Sequence, residues 1–593
     1  MRHLGGTIPK MSEDFVNGDD TDQVSIGWAR LARGDLQGAE SAFRLVDATS
    51  AGRPDALTGL AQISLARGDW ARAAGLAGMA ARASRSESQH AGSHAALGRA
   101  LLRLGHSEAA RAALHVALLH DPLHIQANAD LADALIALGR LDEALNLVDA
   151  IVVLAQTDVG LRLKRAQILG FMGRHDEAAR EFRVIADLRP DDPAAAANLG
   201  AGLFVSGDLD AAAEALDQAV RIGSATPETL NNIGLVAMAR GDLGRAGHAL
   251  HDAHQATPAD PRIANNYATV LQELGSHAEA ERLYRGIAGT KDGLEASRAG
   301  FNLGTLMLGS GRWSEGWRFF EQRLALAIPA GSGLPDWRGD SGTGCVLIEA
   351  EQGLGDVIQF ARFLSAAAAR VPVVVRLPET AAGLLDMIPA LRAFPPGHIR
   401  TADAECVARC SLLSLPAILE AGAPSNAPYL ATGPVGTRSP GTEPVVGIVW
   451  RGSPRYRFDR RRSLQLAQLA PLLATRGVTW WNLQRDVDVP GLRSVDLTTL
   501  KATADAIMAC DLVIAVDTAV AHLAGALGRP VWLLNRFGGD WRWYDAPHSD
   551  GLAPGGWYRD LVQFQPEQPS PPPGCWEDVI LHVGRALRAR FGL

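Results

Sequence analysis

The sequence predicts a chain of class α + α/β, an array of paired helices followed by two α/β halves, and three observations carry that expectation. Nine glycines, Gly34, Gly68, Gly105, Gly139, Gly173, Gly207, Gly241, Gly275 and Gly311, fall 34, 37, 34, 34, 34, 34, 34 and 36 residues apart. Small residues occupy two fixed offsets around every one of them. After about residue 327 this period stops, and short apolar runs begin to alternate with helical segments.

A repeated unit of this length is a helix-turn-helix that cannot bury its apolar face alone and stacks on its neighbours. Seven residues before the glycines stand Gly27, Ala61, Gly98, Ala132, Ala166, Gly200, Gly234, Ala268 and Gly304. Five residues after them stand Ala39, Ala73, Ala110, Ala144, Ala178, Ala212, Ala246, Ala280 and Gly316. Small side chains there let paired helices approach, and the glycine supplies the positive φ that ends the first helix. On these residues the segment 22–327 resembles the tetratricopeptide repeat (TPR), a superhelical scaffold whose concave groove binds partners.

One slot of the first helix, nine residues before the glycine, reads Lys164, Asn198, Asn232, Asn266 and Asn302. An amide offers two donors and an acceptor, which suits holding the backbone of an extended polypeptide. The alternative is that these asparagines bond one repeat to the next. Earlier repeats place Asp130, Ala96 and Gly59 in the slot, so the amides gather in the four repeats nearest the second half.

Length and charge bound the remainder. A chain of 593 residues has room for about three or four domains. A net charge of -8 argues against general nucleic-acid binding, which needs a basic surface. No apolar run is long enough to predict a membrane-spanning helix, and the N-terminal MRHLGGTIPKMSEDFVNGDD lacks the apolar core of a secretory signal. Five cysteines, Cys345, Cys406, Cys410, Cys510 and Cys575, form neither a paired framework nor a zinc set. They are expected to be structural thiols in a reducing cytoplasm, with Cys406 and Cys410 able to approach each other on a helix.

The predicted organisation is a flexible N-terminus (1–21), nine repeats (22–327), a linker (328–343), a first α/β half (344–431), a second linker (432–444) and a second half (445–593). In the first half CVLIEA reads as a buried strand that runs into EQGLGD and a helix VIQFARFLSAAAAR, followed by a strand VPVVVRL and a second helix. In the second half VVGIVW, LQLAQLAPLLAT, VTWWNLQ, TADAIMA, DLVIAVD, TAVAHLAGAL and PVWLL continue the alternation. Alternating strands and helices mean βαβ units and parallel sheets, with ligands at the C-terminal ends of the strands.

Three constellations fall at such ends. Gly353, Gly355 and Asp356 join the first strand to its helix; the aspartate either caps that helix or, at the mouth of a cleft, accepts a hydroxyl proton. The run from Arg451 to Ser463 holds six arginines and one acid, among them Arg460 and Arg462. Guanidinium groups and a helix that Ser463 would cap are what a phosphate or carboxylate asks for. Asp517 and Thr518 open a further helix on which His522, four residues beyond Thr518, shares its face. No paired acidic DxD motif marks a strand end, so no metal is expected, and the arginines, Thr518 and His522 would stabilise a leaving phosphate. Gln359 is expected to help orient the acceptor, and Trp541 and Trp543 to pack the sheet edge.

EQGLGDVIQFARF, DRRRS, DTAVAHLAGALGRPVW and GDWRWY resemble the two-Rossmann (GT-B) glycosyltransferases related to the heptosyltransferases, in the bacterial form fused to TPR arrays. The resemblance implies Asp356 as general base and Asp517, Thr518 and His522 as binders of the donor's phosphates. Related fusions carry a WxGNPxH run where this chain has Ser453 and Tyr456. Repeats joined to such a half also resemble the enzymes that glycosylate flagellin in the alphaproteobacterial cytoplasm. That resemblance implies flagellin bound by the repeats, a pseudaminic-acid-type nonulosonic acid taken from a CMP-activated donor, and a role in flagellum assembly and motility. Three other readings stay open: an O-GlcNAc-like transferase using a UDP-sugar on other cytoplasmic proteins, a TPR adaptor with a degenerate transferase half, and transfer to a glycan.

Overall fold

A computed structural model of the protein describes residues 18–290, 293–326, 333–342, 344–401, 405–433, 443–454, 456, 459–543, 556–569 and 576–593. Most of the expected N-terminal tail, residues 328–332 and 434–442 of the two linkers, Arg455, Arg457, Tyr544 and Cys575 lie outside the described residues. The chain divides into two compact units, Met1–Ser224 and Ala225–Leu593. The division falls inside the repeat array, so repeats seven to nine belong to the unit that also carries the α/β halves.

The first unit runs from α1 (Gly18–Ala32) to α12 (Leu209–Arg221). Repeats seven to nine supply α13 (Pro227–Arg240), α14 (Leu243–Ala256), α15 (Pro261–Glu273), α16 (His277–Ala288), α17 (Leu294–Gly309) and α18 (Trp313–Phe320). All nine ladder glycines have φ between +73° and +92°, the left-handed conformation that stops a helix and costs any residue with a Cβ. An aspartate often follows and caps the next helix; the Asp208 side chain accepts from Ala211 N. The small residue seven places earlier is a packing requirement, since a methyl on Gly200 would lie 2.5 Å from Leu216 Cγ and one on Gly304 2.5 Å from Phe320 N.

Beyond the repeats come β1 (Val346–Glu349), α19 (Leu354–Phe360), α20 (Leu364–Ala368), β2 (Val373–Arg376), β3 (Ile399–Arg400), β4 (Ala408–Ser411) and α21 (Leu415–Ile418). The second half adds β5 (Val445–Val449), α22 (Asp459–Arg462), α23 (Ala470–Leu473), β6 (Thr479–Asn482), β7 (Arg493–Ser494) and α24 (Leu500–Met508). It closes with β8 (Leu512–Val516), α25 (Ala519–Ala526), β9 (Val531–Leu534), β10 (Leu561–Phe564) and α26 (Glu577–Phe591). Two wholly parallel sheets result, ordered β3-β2-β1-β4 and β10-β9-β8-β5-β6-β7. Their central strands are buried throughout, as β5 and β8 show, which is why they read as continuous apolar runs. Trp317 and Phe320 of α18 share one core with residues of both sheets, including Val346 and Val513.

Several local expectations change. The helix expected after β2 is a series of 3₁₀ turns (Glu379–Ala381, Leu385–Met387 and Pro389–Ala393), because Pro378, Gly383 and Pro389 interrupt any longer helix. Ser463 caps no helix: its Oγ accepts from Gly452 N at 2.9 Å and donates to Asp459 Oδ1 at 2.9 Å, tying the arginine loop to itself. Cys410 lies on a strand rather than a helix, where burial pushes its thiol up to about 12, and Cys406 meets Cys345 instead, Sγ to Sγ at 3.5 Å. Trp541 packs against α18 instead of a sheet edge, 5.9 Å from Trp317 and 5.7 Å from Phe320 between ring centroids.

Candidate active site

The β1–α19 loop is built around an ion pair. Arg323, buried just after the last repeat, donates to Glu351 Oε1 from Nε at 3.1 Å and to Ser414 Oγ at 2.9 Å. The loop is thereby anchored at its start, and Gln352 follows with φ +62°, a left-handed conformation rare for a side-chain-bearing residue. Asp356 stands in the first turn of α19, where its Oδ2 accepts from Gly353 N at 3.0 Å. It does cap the helix, and its other oxygen meets Arg542 Nη2. Gly355 has a separate reason to lack a side chain: a Cβ there would lie 2.9 Å from His522 Cδ2, on the opposite half.

The β8–α25 junction presents the second group. Thr518 is the N-cap residue of α25. His522 is 4% exposed; its Nδ1 lies 3.0 Å from Tyr558 Oη, its ring 4.7 Å from that of Trp543, and its Nε2 3.9 Å from Asp517 Oδ1. Burial, aided by Arg542 and Arg362, holds the imidazole well below the usual histidine range and therefore neutral. Burial and, next, the neighbouring Asp540 carboxylate push the Asp517 carboxyl up, against the pull of Arg462 and Arg542.

The arginine loop after β5 closes the third side. Arg462 donates to Asp517 O at 2.6 Å and to Asp459 Oδ1 at 3.0 Å, and lies 4.5 Å over the Tyr456 ring. Tyr456 thus supports one face of the guanidinium. Arg451 is exposed, and its amide donates to Gln484 Oε1.

These groups line one cavity of about 750 Å³. Gly353, Gly355, Asp356, Arg451, Arg462, Asp517, Thr518 and His522 all face it, together with Asn302 of the repeats; Arg460, Ser463, Asn232 and Asn266 do not. Thr269, Gln272, Tyr284, Phe301 and Thr305 of repeats eight and nine complete the wall. Asn198 is exposed in the first unit. Asn266 Nδ2 donates to Asn231 Oδ1 at 2.8 Å and Asn302 Nδ2 to Asn265 Oδ1 at 3.1 Å, so these two amides bond repeat to repeat, and Asn302 also meets the cavity.

Sequence reasoning passed over Arg542. Its guanidinium joins Asp356, Gln359 Oε1 (2.8 Å) and Asp540 Oδ1 (2.8 Å), and those carboxylates hold its pKa above the ordinary arginine value. Gln359 is fully buried and acts on Arg542 rather than facing the cavity. Arg362 was equally silent; it sits 4.5, 4.9 and 5.1 Å from the rings of Tyr429, Trp557 and Tyr558 and joins the two halves behind His522. The one available signal for Arg542 was its place in GDWRWY, just beyond a buried strand.

The family model for the tetratricopeptide repeat matches residues 24–88, 95–159, 163–227 and 231–312. That for glycosyltransferase family 9 (heptosyltransferase) matches residues 489–534, which include Asp517, Thr518 and His522. No curated protein matches the chain. Among solved structures, a tetratricopeptide repeat protein from Parabacteroides merdae is 18% identical over 43% of this chain and 100% of its own, with a TM-score of 0.34. A TPR protein of Thermus thermophilus is 21% identical over 30% of this chain and 98% of its own (TM-score 0.26), and the TPR protein YrrB 20% over 30% and 89% (TM-score 0.25). The chain thus contains tetratricopeptide repeats and, within its second half, a segment similar to glycosyltransferase family 9.

Proposed function

We propose that the protein is a metal-independent GT-B-type glycosyltransferase that takes a polypeptide acceptor through its repeats and transfers a sugar from a nucleotide-activated donor to a serine or threonine hydroxyl. The observation that carries this reading is the single cavity in which Asp356, Arg462, Thr518 and His522 face Thr269, Asn302 and Thr305 of the last two repeats. The end of the repeat array at Asn302 and the loops expected to hold the donor share one space.

In that space the acceptor oxygen attacks the anomeric carbon while the bond from that carbon to the donor's phosphate oxygen breaks. Charge develops on the phosphate, where Arg462, the start of α25 and neutral His522 can donate hydrogen bonds. Arg542, now paired with Asp356 and Asp540, supplies a cation beside the reacting space, the part a divalent ion plays elsewhere. Asp356 takes the hydroxyl proton on the oxygen that now meets Arg542, which requires the guanidinium to turn toward the incoming phosphate. Asp517 is the competing proton acceptor, because burial and the Asp540 carboxylate push its carboxyl up. From the flagellin-transferase resemblance we take the acceptor to be flagellin and the donor a CMP-nonulosonic acid, with the arginines matching both its phosphate and its sugar carboxylate.

The test is intact-mass measurement of flagellin after incubation with the protein and CMP- or UDP-activated sugars. Wild type should add one or more sugars from a CMP donor. Asp356→Asn should lower the rate by about 100-fold or more if Asp356 is the base; an unchanged rate there with loss in Asp517→Asn moves that role to Asp517. Addition from a UDP-sugar alone selects the O-GlcNAc-like reading. No addition from any donor overturns the transferase assignment.

A further inference from the structure

Two loops carry the donor side of the cavity, the arginine loop (451–463) and the loop after β9 (535–543), and both are fastened to the repeat array by one side chain. Glu273, the last residue of α15, is 8% exposed. Its Oε2 accepts from Arg461 Nη2 at 2.8 Å, and it forms a two-point pair with Arg536, whose Nη2 donates to Oε1 at 3.1 Å. The two arginines draw the carboxyl below its usual range despite burial. Arg461 Nη2 and Arg536 Nη1 also donate to Phe537 O, at 3.2 and 3.3 Å. Around this centre Tyr456 and Phe537 pack against the apolar core of repeats seven to nine. Gly538 has φ +78°, and a Cβ there would come within 2.8 Å of Glu273 O and 2.7 Å of its Oε2, so the second loop reaches α15 only because that residue has no side chain.

Each clipped residue has a neighbour that reaches the reacting space. Arg462, next to Arg461, binds Asp517 O and stacks on Tyr456. Arg542, six residues after Arg536, binds Asp356. We infer that Glu273 is a positioning residue of the transferase, a carboxylate supplied by repeat eight that sets both donor-binding loops, so that the repeat array is part of the donor site as well as the means of holding the acceptor. This deepens the proposed function and rests on it.

The test measures nucleotide binding apart from turnover, by calorimetry with CMP and with UDP on the full-length chain. Glu273→Gln keeps the shape and removes the charge, and it should weaken the nucleotide by about tenfold or more, since two buried guanidinium groups lose their counter-charge. The KM for the nucleotide-sugar should rise likewise, while the KM for the acceptor stays within about twofold; a general loosening of the fold would raise both. Gly538→Ala alters no charge and should reproduce the donor defect by lifting one loop from α15, which keeps the test open if Glu273→Gln does not fold. Wild-type affinity for the nucleotide in either folded variant overturns the inference. Failure of wild type to bind CMP or UDP overturns instead the transferase reading beneath it.

Discussion

His522 illustrates how burial fixes the charge state of a residue whose type alone leaves it open. Arg542, Arg362 and Asp517 surround it, with Tyr558 on its other nitrogen. Its folded pKa is lowered, so below about pH 6.5 the unfolded chain binds a proton that the folded chain refuses, and stability falls as pH falls, by about 1.4 kcal/mol per pH unit. Asp517 has the opposite sign: its raised folded pKa makes stability fall as pH rises from about 3.9 toward that value. Chemical unfolding followed between pH 6.5 and pH 5 should therefore show a shallower slope in His522→Asn than in wild type. Parallel slopes would mean that the imidazole is protonated in the folded protein.

At the scale of elements, the asparagine slot divides between its two readings along the array. Asn302 and Asn266 donate to buried Asn265 and Asn231, whereas Asn198 is exposed. Asn265→Ala should destabilise the protein by about 1–3 kcal/mol, since it removes a buried amide and the partner of Asn302. Asn198→Ala should leave stability within about 0.5 kcal/mol and report on acceptor affinity alone. Thermal melts and acceptor titrations of the two variants separate these effects; an unchanged acceptor affinity in Asn198→Ala assigns that position no part in binding. The period itself was legible from the sequence because a turn glycine and two close approaches impose fixed residues at fixed spacing, and each is visible as a positive φ or a forbidden methyl. The helix after β2 was misread because length and apolar content do not reveal how Pro378, Gly383 and Pro389 break a segment into 3₁₀ turns.

Over the whole molecule, the strand-end rule pointed to Asp356, Arg462, Thr518 and His522, which line one cavity because a parallel sheet sends its loops to one edge. It could not find Arg542, Glu273 or Arg536, whose importance lies in pairings across 186 and 263 residues of chain. Nor could it show that the last repeats belong to the same compact unit as both sheets. Of the repeat residues that line the cavity, Asn302 stands in the asparagine slot, whereas Thr269 and Thr305 look from the sequence like ordinary first-helix positions. The meaning of Thr269 and Thr305 comes from what faces them.

If this cavity is a donor site walled on one side by the repeats, a crystal structure with CMP or UDP bound will show the nucleotide in it. The phosphate is expected among Arg462, Thr518 and His522, with Arg542 turned toward it from Asp356 and the open face of the nucleotide looking at Thr269, Asn302 and Thr305. A nucleotide bound elsewhere, or phosphates that leave these side chains untouched, would contradict the donor-site assignment.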